Sequence, residues 1–468
     1  MRILENLKPE RVFYYFEELC SMPHGSGNTA QISAYCEEFA KKAGLFCRRD
    51  ELGNVIIKKP ATAGKENCPA VILQGHLDMV CEKEEGCPAD MEKDGIALDT
   101  DGKFVFARGT TLGGDNGIAV AMIMAMLTDD TLVHPEIIAL FTVDEETGMF
   151  GAEAVDMSDF GSRMLINIDS EEEGVLTVSC AGGARARFCF PVKRENNERA
   201  AYKIKIEGLK GGHSGVEIDK GGLNANVLMG KLLKELPDCR IAHIAGGMKD
   251  NAIPASCEAV VCGADPSEKA EAFRVKNTIP TDAGLKITVS PAEADDCFTA
   301  EETKKITEFL TTVKNGIMSM SEDIEGLVQT SLNMGILKTE GERVEASFAV
   351  RSSVLSERSE LIADLESTAK ALGGEFSADS FYPAWEYKKD SHLRDTMCAV
   401  WERLYNSPAK VSAIHAGLEC GLFCEKIEGL DVVSIGPDMF DVHTPREKLS
   451  VASTEKVYNF LREVLASL

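Results

Sequence analysis

The chain has 468 residues, too many for one ordinary hydrophobic core, so two or three domains are expected. Hydrophobic residues at 44% and charged residues at 27% match a folded globular protein and exclude a disordered one. Acidic residues outnumber basic ones 76 to 50, and the net charge of −26 repels nucleic acid and anionic membrane, so neither is expected as a partner.

Met1 to Pro9 carries no apolar stretch followed by a small-residue cleavage site, and no apolar run approaches the roughly 18 residues of a membrane span. Fifteen cysteines occur without a CxxC pair, which fits reduced thiols better than a disulfide framework. A cytoplasmic protein is expected.

Val12, Phe13, Phe16 and Leu19 recur at helical spacing. Ile32, Tyr35, Phe39 and Ala43 do so again behind Asn28, the expected N-cap, so two amphipathic helices open the chain. Short apolar runs of strand type follow at residues 55–57, 70–73, 137–143 and 165–168, with a helix over 118–127 between the second and third. Strands alternating with helices imply an α/β fold, a sheet with helices on its faces. After about residue 185 the pattern becomes α+β in style, and α/β character returns at residues 397–404 and 432–435. The expected organisation is an α/β domain in two parts, 1–185 and 397–468, around an inserted domain at 186–396. Residues 247–260 (GMKDNAIPASCEAV) and 335–348 (GILKTEGERVEASF) each end in strand alternation and precede a helix-like stretch, so the insert is expected to hold two similar halves.

The candidate chemistry sits at predicted strand ends. VILQGHLDMV (71–80) presents His76 and Asp78 on one side of an extended segment, where Asp78 can orient the imidazole. TTLGGDNGIAVA (110–121) sets Asp115 behind two glycines at a loop-to-helix junction, where the alternative role is a helix N-cap. IIALFTVDEETGMFG (137–151) runs into Asp144, Glu145 and Glu146, three acids that raise one another's pKa unless a cation intervenes; the alternative is a solvated acidic turn. Neighbouring residues point apart, so of Glu145 and Glu146 one can ligate a metal while the other acts as a base. LINIDS (165–170) ends in Asp169, and GPDMFDVHTP (436–445) places His443 in a loop rich in turn formers. Two histidines, two aspartates and a glutamate, with no cysteine, suit zinc, or cobalt or manganese, and two such ions sharing one carboxylate can activate a water.

GHLDMV, GGDNGIAVA, DEETG, NIDS and the His443 loop together resemble the co-catalytic zinc peptidase family of aminoacylases, glutamate carboxypeptidases and carnosinases. Within it the chain is similar, over nearly its whole length, to the bacterial aminoacyl-histidine dipeptidases. The resemblance implies a mixed-sheet zinc-peptidase catalytic domain with an inserted α+β lid. It implies Asp115 as a carboxylate bridging two divalent ions, His76 and Asp169 completing one, and Glu146 and His443 completing the other. Glu145 is then the general base toward a metal-bridged water, and Asp78 the partner of His76. In the lid, GGHSG (211–215) implies His213 as an oxyanion donor, and Asn251 and Arg351 imply contacts to substrate backbone and carboxylate. His415 and Glu419 in IHAGLECGLF are four apart, the spacing of one helix face, and are expected to touch substrate. The implied activity is cytosolic hydrolysis of Xaa-His and related dipeptides. The alternatives are an N-acyl amino-acid deacylase or a broad di- or tripeptidase. A homodimer through the lid is implied by the relatives alone.

Overall fold

A helix that is apolar on every side has to be buried on every side. In the computed structural model of the protein, which describes residues 2–468, the helix Gly114–Leu127 is buried at every residue except Asp115. It packs on the strand Val71–His76. Gly75 permits the approach, because a Cβ there would stand 2.8 Å from Cβ of Ala119.

Val71–His76 and Ile137–Thr142 are buried along their whole length, the pattern of strands covered on both faces. They pair in parallel, Val71 opposite Ile137 and His76 opposite Thr142. Met164–Asn167 pairs in parallel on the other side of Val71–His76, and Asp431–Ser434 in parallel with Met164–Asn167. Antiparallel strands complete an eight-stranded mixed sheet, Phe46–Arg49 and Val55–Lys59 lying on one side. The α/β class expected from the sequence is therefore observed. The four parallel strands end at one edge, and the segments leaving that edge carry His76, the 144–146 turn, Asp169 and the His443 loop.

Contacts divide the chain into two units. The first runs from the N-terminus through Ser179 and adds Tyr387–Ala413 and Leu418–Leu468; the second is Cys180–Glu386 with Ile414–Gly417. The junctions fall at Ser179/Cys180 and Glu386/Tyr387 rather than at 185/186 and 396/397. Helix His392–Tyr405 packs against Val451–Ser467 and Asp431–Ser434 of the first unit, a long-range pairing that local patterning does not register.

The second unit is built on a nine-stranded sheet. In Gly182–Pro191, Ala184, Ala186, Phe188 and Phe190 are buried while Arg185, Arg187 and Cys189 face the other way, the two-residue period of a sheet covered on one side. Phe309, on helix Ala300–Thr312, centres the covered face, its ring 4.9 Å from Phe188 and 4.6 Å from Phe190. Strands Arg240–Gly246 and Val328–Glu340 meet through Ala245–Lys338 and Gly246–Leu337, a short seam between two half-sheets. The two segments with similar sequence do not occupy equivalent places. Residues 247–256 are a loop before strand Cys257–Cys262, whereas 335–348 span a hairpin turned at Gly341 and Glu342. What they share is a strand pair followed by a helix, Ser267–Asn277 or Leu355–Ala371.

The opening helices are Glu10–Cys20 and Ala30–Lys42. Thr29, not Asn28, is the N-cap; the Asn28 amide donates instead to the carbonyl of Glu92 at 3.0 Å. Among the described residues no helix is long and apolar enough to cross a membrane.

Removing the Phe309 ring leaves a void between Phe188, Phe190 and Phe348. Phe309→Ala is expected to lower stability by about 3–5 kcal/mol, measured as a lower guanidinium midpoint by circular dichroism.

Candidate metal centre

His76 ends its strand with 1% of its surface exposed. Its backbone N–H donates to Oδ1 of Asn116 at 3.1 Å, and Nδ1 lies 2.9 Å from the carbonyl oxygen of Asp78. A ring nitrogen facing a carbonyl holds the proton, which leaves the Nε2 lone pair free for a ligand. The Asp78 carboxylate, expected to orient His76 directly, stands farther off, 3.6 Å from Nδ1. It accepts instead from the backbone N–H groups of Glu145 (3.0 Å) and Glu146 (3.3 Å) and from Oγ of Ser26 (2.8 Å). Asp78 thereby fixes the acidic turn as well as the histidine.

Asp115 does not cap the helix. Its backbone is extended, with φ −84° and ψ 103°, and its two oxygens face different histidines. Oδ1 is 3.2 Å from Nε2 of His76, and Oδ2 is 3.2 Å from Nε2 of His443. Nε2 of His443 is also 2.7 Å from Oε1 of Glu146, and Nε2 of His76 is 3.5 Å from Oδ1 of Asp169. Asn116 donates to that same Asp169 oxygen at 3.1 Å. The fold thus brings all five expected ligands together, and donor atoms of His76, Asp115 and Glu146 lie within 4.8 Å of one another.

The carboxylates and imidazoles of this cluster shift one another strongly. Burial alone would push His76 down, yet the carboxylates of Asp115, Asp169 and Asp78 raise it well above the usual imidazole range. His443, beside Asp115 and Glu146, is raised to about 10. Burial would raise Asp115, but His443 and His76 hold it below the ordinary carboxylate range. Burial pushes Asp169 up to about 6 against the pull of His76, and it drives Glu145 well upward. Carboxylates crowded out of water in this way stay ionised when cations join them. Two imidazole nitrogens and three carboxylates without a thiolate fit divalent ions of the zinc, cobalt and manganese kind.

One supporting residue escapes the sequence analysis. Glu447, 3% exposed, accepts from four successive backbone N–H groups. Oε2 takes Leu112 (2.7 Å) and Gly113 (3.2 Å), and Oε1 takes Gly114 (2.8 Å) and Asp115 (3.4 Å). Gly113 has φ 70°, and a Cβ on Gly114 would stand 3.0 Å from Oε1 of Glu447, so the two glycines let this loop wrap a carboxylate. The trace in the sequence is HTPRE, an acid four residues beyond His443, with nothing local to link it to a loop more than 300 residues earlier.

His415 and Glu419 do not share a helix face. The helix Glu419–Lys426 begins only at Glu419, and His415 precedes it in the segment Ile414–Gly417 of the second unit. Glu419 is fully buried in the first unit, where Oε2 accepts from Nε2 of Gln74 (2.5 Å) and Oγ1 of Thr142 (3.0 Å). Gln74 in turn accepts from Asn167 at 2.5 Å. In the second unit Nε2 of His415 is 2.7 Å from Oγ of Ser331, and burial with the nearby Arg351 charge lowers its pKa to about 4. Nδ1 of His213 accepts from the backbone N–H groups of Gly215 (3.2 Å) and Val216 (3.3 Å), which puts the proton on Nε2. Burial and Arg351 lower this histidine too, so it is neutral. Arg351 donates to the Tyr382 hydroxyl at 2.9 Å. Asn251 is exposed, at a cavity of about 700 Å³ on the open face of this sheet.

Residues 72–467 match the description Peptidase family M20/M25/M40. The chain is 35% identical to the cytosol non-specific dipeptidase of Escherichia coli (strain K12), covering 100% of this chain and 99% of the relative. It is similar to the crystal structure of aminoacylhistidine dipeptidase from Vibrio alginolyticus, with a TM-score of 0.93 and 34% identity over 99% of this chain and 98% of that one. The aminopeptidase PepT from Bacillus cereus shares the fold, at a TM-score of 0.60 and 16% identity over 98% of this chain and 99% of that one.

Glu447→Gln turns an amide toward N–H donors, so zinc or cobalt binding is expected to weaken about ten- to a hundredfold, measured by calorimetric titration. The raised His443 pKa sets a second outcome. The charged imidazole stabilises the metal-free protein below its ordinary pKa, and that contribution is lost as pH rises through about 10. A ligating histidine must shed this proton, so metal binding at pH 7 is expected to release protons and to tighten with pH up to that value. Titrations in buffers of different ionisation enthalpy measure the release.

Proposed function

This chain belongs to peptidase family M20/M25/M40, and from that membership we propose that it is a cytosolic, metal-dependent dipeptidase acting on Xaa-His and related short peptides. The observation that carries this reading is the convergence of His76, Asp115, Glu146, Asp169 and His443 at one sheet edge, in a chain similar end to end to two dipeptidases. The relative from Escherichia coli is a non-specific dipeptidase, so the proposal includes amino-terminal residues of many kinds.

Asp115 would be shared between two divalent ions, with His76 and Asp169 on one side and Glu146 and His443 on the other; zinc suits this donor set best. Such ions, when bound, polarise a carbonyl and acidify a water. Glu145 acts as the base: its carboxylate takes a proton from the attacking water and returns it to the leaving amine nitrogen. Burial raises the pKa of Glu145, with Asp169, Glu419 and Glu146 adding to the shift, which suits a group that must both accept and release a proton. The hydrogen bond from its backbone N–H to Asp78 holds it in place.

In the second unit, the neutral Nε2–H of His213 is the kind of donor that stabilises an oxyanion, and the Arg351 guanidinium the kind that grips a carboxylate. Asn251 and His415 are proposed as further peptide contacts. Glu419 has no exposed surface, and we assign it support of the site in place of the substrate contact expected from the sequence.

The test is hydrolysis of Ala-His, β-Ala-His and N-acetyl-Met by the zinc- or cobalt-loaded protein. Both histidine dipeptides should be cleaved, and Glu145→Gln should lower kcat about 10²- to 10⁴-fold with unchanged circular dichroism. Cleavage of N-acetyl-Met alone would make the protein a deacylase. Chelation should abolish activity without unfolding the chain.

A further inference from the structure

A cavity of about 690 Å³ opens beside the metal centre, within the first unit, with Glu146 and Thr147 on its wall. Its remaining walls come from the 25–28 loop, residues 79–81 and residues 91–93. We infer that this cavity receives the side chain of the amino-terminal residue of the peptide and favours large apolar chains there, an inference that rests on the dipeptidase reading above.

The walls are fixed before any ligand arrives. The N–H of Met79 donates to the carbonyl of His24 at 3.2 Å, and the N–H of Ser26 to the carbonyl of Met79 at 3.3 Å, so the loop is stitched to the segment leaving His76. Oγ of Ser26 donates to Asp78, and the Asn28 amide to the Glu92 carbonyl, which ties the third wall to the first. A space bounded by hydrogen-bonded backbone is preformed, the usual condition of a small-molecule site.

The chemistry of the surface is apolar and adaptable. Val80, Cys81 and Met91 supply an isopropyl group, a thiol and a thioether, while Met79 is buried with its sulfur toward Gly113. Methionine adjusts its shape to unlike apolar partners, which suits several side chains better than one. Gly25 lets the Cys81 side chain pack against the loop, since a Cβ there would stand 2.5 Å from Sγ of Cys81, and Gly27 has nothing within 4 Å of its Cβ position.

Charge decides which end of the peptide enters. Glu92, outside the metal-ligand set, lines the cavity, and Asp144 accepts from the N–H of Gly27 at 2.6 Å. The one lysine on the wall, Lys93, is paired with Asp90 at 2.7 Å. A peptide carboxylate is repelled here and an α-ammonium attracted, so the residue whose side chain fills the cavity is the amino-terminal one.

The experiment measures kcat/KM of the metal-loaded protein for Gly-His, Leu-His, Met-His, Phe-His and Lys-His. Wild type should favour the Leu, Met and Phe substrates over Gly-His about tenfold or more. Cys81→Trp fills the cavity and should cut that preference about fivefold or more, while Met91→Asp should shift it toward Lys-His. Thermal unfolding checks that each variant folds; if Cys81→Trp does not, Met91→Asp decides. A wild-type preference near one, or a preference unmoved in the folded variants, overturns the inference and leaves the dipeptidase reading standing. Failure of wild type to cleave any of the five overturns both.

Discussion

The first unit depends on one constraint: carboxylates and imidazoles are crowded, largely out of water, at the ends of parallel strands. Asp115, Glu145, Glu146 and Asp169 meet where, among the described residues, His76 and His443 offset their charge. Buried charge of one sign is stable only when it is paired, protonated or joined by cations. The raised imidazoles and raised carboxyls are two expressions of the same imbalance. Divalent ions would resolve it, and the geometry of Asp115, one oxygen toward each histidine, is laid out for sharing.

Such a site has to be held open against its own repulsion, and the surrounding backbone does that work. Glu447 binds four N–H groups of the 112–115 loop, Asp78 binds two of the acidic turn, and Asn116 reaches both the His76 backbone and Asp169. Behind them lies a buried polar row of Glu419, Gln74, Thr142 and Asn167. Burial raises Glu419 to about 8 against the pull of His76. In the second unit burial and Arg351 lower the pKa of His213, and Arg351 donates to the Tyr382 hydroxyl.

The sequence by itself determined the α/β class, the buried helix after Gly114 and the set of metal-site candidates. Each of those rests on local information: apolar periodicity, glycine before a functional residue, and acids or histidines where an apolar strand stops. His76, Asp115, Glu146, Asp169 and His443 were legible for that reason, although they span more than 360 positions. Only the tertiary structure decided what depends on distant pairing. Asn28 ceded its cap to Thr29 because its amide found Glu92. Asp78 took up the Glu145 turn because two strand ends are neighbours in the sheet. His415 and Glu419 parted because the chain enters its helix only after leaving the second unit. Glu447 became visible only when its loop closed on residues 112–115. Hydrogen bonds between residues hundreds of positions apart leave no periodic signal, and those bonds set the precision of this site.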